Sequence, residues 1–284
     1  MKTCATKKLL FEEVNKARKT GKKIGFVPTM GALHPGHASL IEYAANECEC
    51  VVVSIFVNPT QFNDARDFAS YPIALEKDLA VAAAAGADVV FTPQVDELYG
   101  ENLAVEPVDY GQITHSFEGQ MRSGHFDGVV AVVRKLFHSV QADTAYFGEK
   151  DLQQLAVIRR LAADEFDDLK IVGCPLIRES DGLAMSSRNV RLSEDARVTA
   201  LHLNGWLKFM QRGVKEGSDL RGLLERVRSE ARSIPGLELE YADAVNGATF
   251  EPRYVVSEDE DVFAIIAAEV DGVRLIDNCP LACS

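Results

Sequence analysis

Long apolar runs are missing from this sequence. No stretch approaches the ~20 consecutive apolar residues that a bilayer-spanning helix needs. Near the start, Lys2, Lys7 and Lys8 lead into Leu9, Leu10 and Phe11, which run straight into Glu12 and Glu13. That is not a signal-peptide core, so the expectation is a cytoplasmic chain with no membrane partner. Positive charge is also short: 30 Lys and Arg face 43 Asp and Glu, a net charge of −13. Nucleic-acid binding rests on phosphate neutralisation, so no nucleic-acid partner is expected. An anionic ligand would need basic side chains and backbone N–H donors gathered locally against that field. Zinc-type cysteine spacing is absent as well. The six cysteines are Cys4, Cys48, Cys50, Cys174, Cys279 and Cys283, and no His/Cys pair stands at ligand spacing. A chain of 284 residues with 47% hydrophobic residues needs no disulfide staples. Reduced thiols are expected, with Cys279 and Cys283 the pair open to air oxidation. Repeats and low-complexity tracts are absent too.

What is present is an alternation of strand-like and helix-like segments. Cys50–Val57 is continuous, β-branched and bounded by Asn58-Pro59, as a buried parallel strand should be. Ile24–Val27, Asp88–Thr92, Thr144–Phe147 and Lys170–Val172 are shorter runs of the same kind. Between them, Pro35–Asn46, the Ala-rich Leu75–Ala85 ending at Gly86, the Val129–Val140 stripe and Leu152–Glu165 have helical spacing. This alternation predicts an α/β fold with a doubly wound parallel sheet. Beyond Ile177 the pattern changes to amphipathic helices at Ser193–Arg212 and Leu220–Ser233. Strands at Glu238–Ala244, Val262–Glu269 and Val273–Asp277 follow, with Asp271-Gly272 as a hairpin turn. The expected division is therefore 1–177 and a smaller α+β domain at 178–284.

Four segments carry residues suited to chemistry. Met30-Gly31-Ala32-Leu33-His34-Pro35-Gly36-His37 follows a strand and opens a helix. Its glycines allow close backbone approach, and a helix N-terminus offers N–H donors to an anion. His34 and His37, three apart, share one helical face. A triphosphate fits such a site; the competing reading is a turn with two surface histidines. Asn58 and Gln61, after the CVVVSIFV strand, are uncharged groups able to read hydroxyls and a carboxylate, or simply a polar turn. Gly148-Glu149-Lys150-Asp151 stands at another strand-to-helix junction. Lys150 suits phosphate oxygens, Asp151 suits a helix cap, and Gln154 lies one turn beyond Lys150. Met185-Ser186-Ser187-Arg188, after the Gly182 turn, reads as a phosphate clamp on a loop able to close, or as an ordinary Ser-rich loop. Arg122–Gly128 is a further polar segment before the valine stripe. Asp78 and Asp151 are candidate magnesium neighbours, but the sequence names no metal ligands.

Together these segments resemble the pantothenate synthetase family. PTMGALHPGH (28–37), FVNPTQF (56–62), YP and D-L (71, 72, 78, 79), GADVVFTP (86–93), GHFDGV (124–129), KLF (135–137), YFGEKDLQQL (146–155), IVGCPLIRESDGLAMSSRN (171–189) and RLIDN (274–278) stand in that family's order. The H-x-G-H and Ser-Ser-Arg elements also resemble signatures of the wider nucleotidyltransferases. The resemblance implies a Rossmann-like N-terminal domain, a smaller C-terminal lid and a homodimer. It implies ATP-dependent joining of pantoate to β-alanine through a pantoyl-adenylate, with Mg²⁺ as cofactor. Met30 to His37, Gly148 to Asp151, Ile177 and Met185 to Arg188 would hold ATP. His34, His37, Lys150 and Arg188 would be catalytic. Gln61, Gln154, Met30 and Asn58 would form the substrate pocket. Two positions depart from the family's usual residues: Ser123, where proline is usual, and Ala131, where threonine is usual. The rival within the class is transfer of AMP or CMP to a phosphorylated acceptor. That would call for more Lys and Arg where Asn58, Gln61 and Gln154 stand.

Overall fold

A computed structural model of the protein describes residues 1–62, 68, 71–72, 74–257 and 259–281. Cys283 lies outside them. The chain divides into two compact units, residues 1–149 with 157–175, and residues 150–156 with 176–284. The expected boundary after 177 lies close to the crossing after Pro175. Residues 150–156, with Lys150 and Gln154, group with the second unit.

The first unit is built on a six-stranded parallel sheet. Its strands are β1 (Lys2–Cys4), β2 (Ile24–Thr29), β3 (Cys50–Ile55), β4 (Val89–Phe91), β5 (Thr144–Gly148) and β6 (Lys170–Cys174), in the order β1-β4-β3-β2-β5-β6. β2 lies inside the sheet, with Phe26 opposite Val52 of β3 and Ala145 of β5. Its apolar run and that of β3 are buried, as a sheet covered on both faces requires. The longer helices are α1 (Lys7–Lys19), α2 (Pro35–Glu47), α3 (Leu75–Ala84), α4 (His125–Val140) and α5 (Leu152–Glu165). The valine stripe of α4 is core: Val129, Val130, Val132 and Val133 are buried with Leu136 and Phe137. The strand expected over 50–57 ends at Ile55, and the chain then turns toward Asn58.

The second unit packs α6 (Glu194–Lys215) and α7 (Leu220–Ala231) on an antiparallel sheet of β7 (Leu237–Asn246), β8 (Val262–Val270) and β9 (Val273–Pro280). Caps fix both helices. Ser193 accepts the Ala196 N–H at 3.2 Å and Asp219 the Gly222 N–H at 2.9 Å. Trp206, Leu207 and Met210 of α6 share one core with Leu223, Leu224, Ile266 and Leu275. Asp271 and Gly272 join β8 to β9 at φ 49° and 75°, the conformation a two-residue hairpin turn demands.

Cys4, Cys48, Cys50 and Cys174 are buried free thiols, and Cys279 is half-buried and free. Burial pushes the Cys50 thiol up to about 11 and those of Cys174 and Cys279 to about 12. No helix among the described residues is long and apolar enough to cross a membrane.

Candidate active site

From β2 the chain builds β3 and β4 to one side of the sheet, then returns to place β5 and β6 on the other. The topological switch point therefore falls between β2 and β5, where ligands of open α/β sheets bind, outside the carboxyl ends of the strands. β2 ends at Thr29 and β5 at Gly148. Residues 30–37 and Glu149 follow directly.

The glycine turn after β2 is held from beneath by a carboxylate. Gly31 and Ala32 both adopt positive φ, 84° and 51°. Asp78, in the first turn of α3, accepts the Ala32 N–H at 2.9 Å and the Leu33 N–H at 2.7 Å through its two oxygens. It is 2% exposed. The positive φ favours glycine at 31, and a Cβ there would also crowd Asp78 Oδ2 at 3.0 Å and Ile55 Cγ2 at 3.2 Å. Asp78, read from sequence as a metal neighbour, thus serves this turn with both oxygens.

The turn delivers the chain to α2 with Pro35 in the first helical position, where a missing N–H costs nothing. His34 is the N-cap, and its backbone N–H donates to His37 Nδ1 at 3.4 Å. That bond makes Nδ1 an acceptor, so the neutral His37 ring carries its proton on Nε2 and is a donor there. The two imidazoles stack with centroids 4.0 Å apart. The arrangement offers a helix N-terminus and ring N–H donors on one turn, suited to phosphate oxygens.

After β3, Asn58 starts a short turn over Pro59–Gln61 and is 1% exposed. Its amide is saturated. Nδ2 donates to the Gly128 carbonyl at 3.0 Å and to Gln61 Oε1 at 3.1 Å; Oδ1 accepts from Tyr99 Oη at 2.8 Å and from Thr60 Oγ1 at 3.0 Å. The backbone partners, Gly128 O and the Thr60 N–H at 3.4 Å, fix which end of Asn58 is which. Gln61 must therefore turn its oxygen toward Asn58 and offer its NH2 group, which reaches Met30 Sδ at 2.8 Å. Asn58 orients Gln61, and Gln61 and Met30 form one polar–apolar pair.

Helix α4 locks this turn. A Cβ on Gly128 would lie 2.2 Å from the Thr60 carbonyl oxygen, so only glycine permits the approach. His125 Nδ1 stands 2.9 Å from the Gln61 carbonyl, and Arg122 Nη1 stands 3.0 Å from His125 Nε2. The 122–128 segment thus acts on the backbone of the turn. Tyr99 was not legible as part of it, because no local spacing links 99 to 58.

In the second unit, Lys150 is half-buried, 3.7 Å from Asp151 Oδ1. Gln154 is half-buried in the first turn of α5. Residues 177–185 form a small hairpin: the Glu179 N–H donates to Leu183 O at 2.8 Å and the Met185 N–H to Ile177 O at 3.0 Å. Side chains brace it. Arg197 of α6 donates to Asp181 at 2.8 Å and Glu179 at 2.6 Å, and the buried Asn189 donates to Glu179 at 2.6 Å and to Ala184 O at 3.0 Å. Arg178 forks onto Asp277 of β9 at 2.7 and 3.0 Å. Burial pushes the Asp277 carboxyl above the usual range, and the Arg178 guanidinium opposes that rise. Ser186 caps the following turn by accepting the Arg188 N–H at 3.2 Å, and Ser187 and Arg188 are half-buried. The loop read from sequence as able to close is tied by these bonds to α6 and β9 of its own unit.

A doubly wound parallel sheet, with a glycine turn and a helix N-terminus at its switch point, defines the Rossmann-like class of α/β proteins. Comparison with known proteins narrows this to one family. The model of the Pantoate-beta-alanine ligase family matches residues 2–280, and the chain belongs to that family of ligases. The pantothenate synthetase of Geobacter sulfurreducens is 48% identical over 269 residues, covering 93% of each chain. The solved pantothenate synthetase of Thermus thermophilus superposes with a TM-score of 0.89 at 39% identity, over 99% of this chain and 100% of that one. The ligase from Francisella tularensis, solved in complex with beta-gamma ATP and beta-alanine, superposes with a TM-score of 0.81 at 34% identity, over 99% and 98%.

Proposed function

We propose that the chain activates pantoate with ATP as pantoyl-adenylate and then transfers the pantoyl group to β-alanine, releasing pantothenate, AMP and pyrophosphate. The observation that carries this reading is the pairing, on the first unit, of an anion-suited helix start at His34–His37 with a neutral donor at Gln61. A phosphorylated acceptor would demand cations where Gln61 and Asn58 stand.

In the first step a pantoate carboxylate oxygen attacks the α-phosphorus, and the bond to the β-phosphate oxygen breaks. A carboxylate, with a pKa near ~4, is already ionised and needs no general base. The task is to hold two anions together and to stabilise charge developing on the leaving pyrophosphate, which calls for preorganised donors. The α2 N-terminus, His34, His37, Lys150 and Arg188 are assigned to that task. Met30–Gly36, Gly148–Asp151, Ile177 and Met185–Ser187 are assigned to the rest of the nucleotide. Gln61, with Met30 beside it, and Gln154 are assigned to pantoate, with Asn58 acting through Gln61. In the second step the β-alanine amine, with a free pKa near ~10, attacks the acyl carbon after losing a proton, and AMP leaves.

Magnesium is inferred to arrive on the phosphates of ATP. Among the described residues no group of three His, Cys, Asp or Glu side chains gathers into a cage. Magnesium characteristically keeps waters and phosphate oxygens among its ligands. It neutralises phosphate charge when bound. Homodimerisation and a cytoplasmic location belong to the same reading, carried by the resemblance.

The test is product analysis with ATP, Mg²⁺ and pantoate, with and without β-alanine. Equal amounts of AMP and pantothenate, formed only when both acids are present, support the reading. AMP or CMP transfer to a phosphorylated acceptor, without pantoate turnover, would replace it.

A further inference from the structure

Lys150 and the hairpin leading to Arg188 are far apart in sequence. Both are fastened to the same two residues of β9, near the end of the chain. Asn278 donates its side-chain amide to the backbone carbonyl of Lys150 at 3.1 Å. Asp277 takes the Arg178 guanidinium in a two-point fork and also accepts the Asn278 N–H at 2.7 Å. Arg178 in turn donates to the Gly182 carbonyl at 3.1 Å and the Asn278 carbonyl at 3.3 Å. Asp277 and Asn278 are only 4% and 5% exposed. β9 itself is held along its length by β8, with Asp277 opposite Ile266 and Asn278 opposite Ile265.

A fork from a half-buried guanidinium onto a buried carboxylate fixes angle as well as distance. A lysine side chain, by contrast, is a flexible four-carbon stem, and its reach is only as well defined as its backbone. Tying the Lys150 carbonyl and the base of the 178–184 hairpin to adjacent residues of one strand makes a common frame for the two cations. We propose that Asp277 and Asn278 are positioning residues that set the placement of Lys150 and Arg188 for the reacting phosphates. The proposal rests on the assignment of Lys150 and Arg188 to ATP.

The test is pre-steady-state pyrophosphate release from ATP, Mg²⁺ and pantoate by Asn278→Ala, Lys150→Ala and the double variant. Asn278→Asp, isosteric but without the amide donor, serves if the alanine variant does not fold. Misplacing a catalytic group by about 1 Å costs on the order of a hundredfold. The expected result is a roughly tenfold or greater fall in the rate for Asn278→Ala or Asn278→Asp, a pantoate KM within about twofold of the parent, and little further loss when Asn278→Ala is added to Lys150→Ala. Asp277→Asn, which keeps the shape and loses the charge, should show the same split between rate and KM. A rate within about twofold of the parent for folded Asn278→Ala or Asn278→Asp overturns the proposal. So do losses that multiply in the double variant, because Asn278 would then act independently of Lys150. Lys150→Ala with parental activity instead refutes the underlying assignment of Lys150.

Discussion

Replacing Asp78 by asparagine removes charge from a buried side chain that holds two backbone amides. In the parent its two oxygens accept the Ala32 and Leu33 N–H groups at 2.9 and 2.7 Å. The substituted amide keeps one acceptor and turns an NH2 group toward the other backbone N–H. The lost bond leaves a buried N–H without a partner, about 1–3 kcal/mol. The surviving bond falls from charge-assisted to neutral strength, roughly 1 kcal/mol more. The sum, about 2–4 kcal/mol, corresponds to a fall in Tm of roughly 5–15 °C at ~2–4 °C per kcal/mol. Because the same amides fix the turn that delivers His34 and His37, the KM for ATP should rise with the loss of stability. The assay is thermal unfolding together with pantoate-dependent pyrophosphate release at several Mg²⁺ concentrations. An unchanged Tm would refute the reasoning. Restoration of activity by added Mg²⁺ would refute it differently, by showing that the carboxylate acts on the metal.

Three further outcomes follow from the same contacts. His37→Ala should slow pyrophosphate release in single turnover by about 10²-fold, the scale for one preorganised donor; a near-normal rate would remove His37 from the mechanism. Gly128→Ala drives a methyl group to within 2.2 Å of the Thr60 carbonyl oxygen. It should cost about 1–3 kcal/mol of stability and raise the KM for pantoate more than that for ATP; equal effects on both would contradict the link from Gly128 to Gln61. The hydrogen bond from Arg197 lowers the Asp181 carboxyl below its ordinary range, helped by the Leu183 amide. The folded protein therefore sheds this proton more readily than the unfolded chain. The contribution is present above the ordinary value of ~3.9 and is lost as pH falls through the depressed folded value. The Asp181 titration midpoint, read by NMR, should rise in Arg197→Ala; equal midpoints would contradict the assignment.

Much of the fold was legible because it rests on local pattern. The buried run at Cys50–Ile55, the valine stripe of α4 and the Asp271-Gly272 turn each carry their signal within a few residues. β1 was not legible, since three residues, Lys2–Cys4, carry no period. Helix α1 buries only Leu10 and Val14 while Leu9 and Phe11 stay exposed, so its stripe is weak. In the candidate site, the residues at strand ends could be named from glycines, histidines and the order of motifs. Their supports could not. Asp78 acts on residues 45 and 46 positions away, Tyr99 on one 41 away, and Asp277 on one 99 away. Such contacts exist only once the sheet order and the hairpins are formed. That is why Asp78 read as a metal neighbour and Asn58 as a substrate group, although its amide is fully used in orienting Gln61 and holding the turn.

The most direct test of the central claim is isotope transfer. Pantoate labelled with ¹⁸O in its carboxylate is incubated with the enzyme, ATP, Mg²⁺ and β-alanine, and the AMP is analysed by mass spectrometry. Attack of the carboxylate on the α-phosphorus requires one ¹⁸O atom to leave with each AMP formed from doubly labelled pantoate. AMP free of label would contradict the pantoyl-adenylate and with it the roles assigned to His34, His37, Lys150 and Arg188.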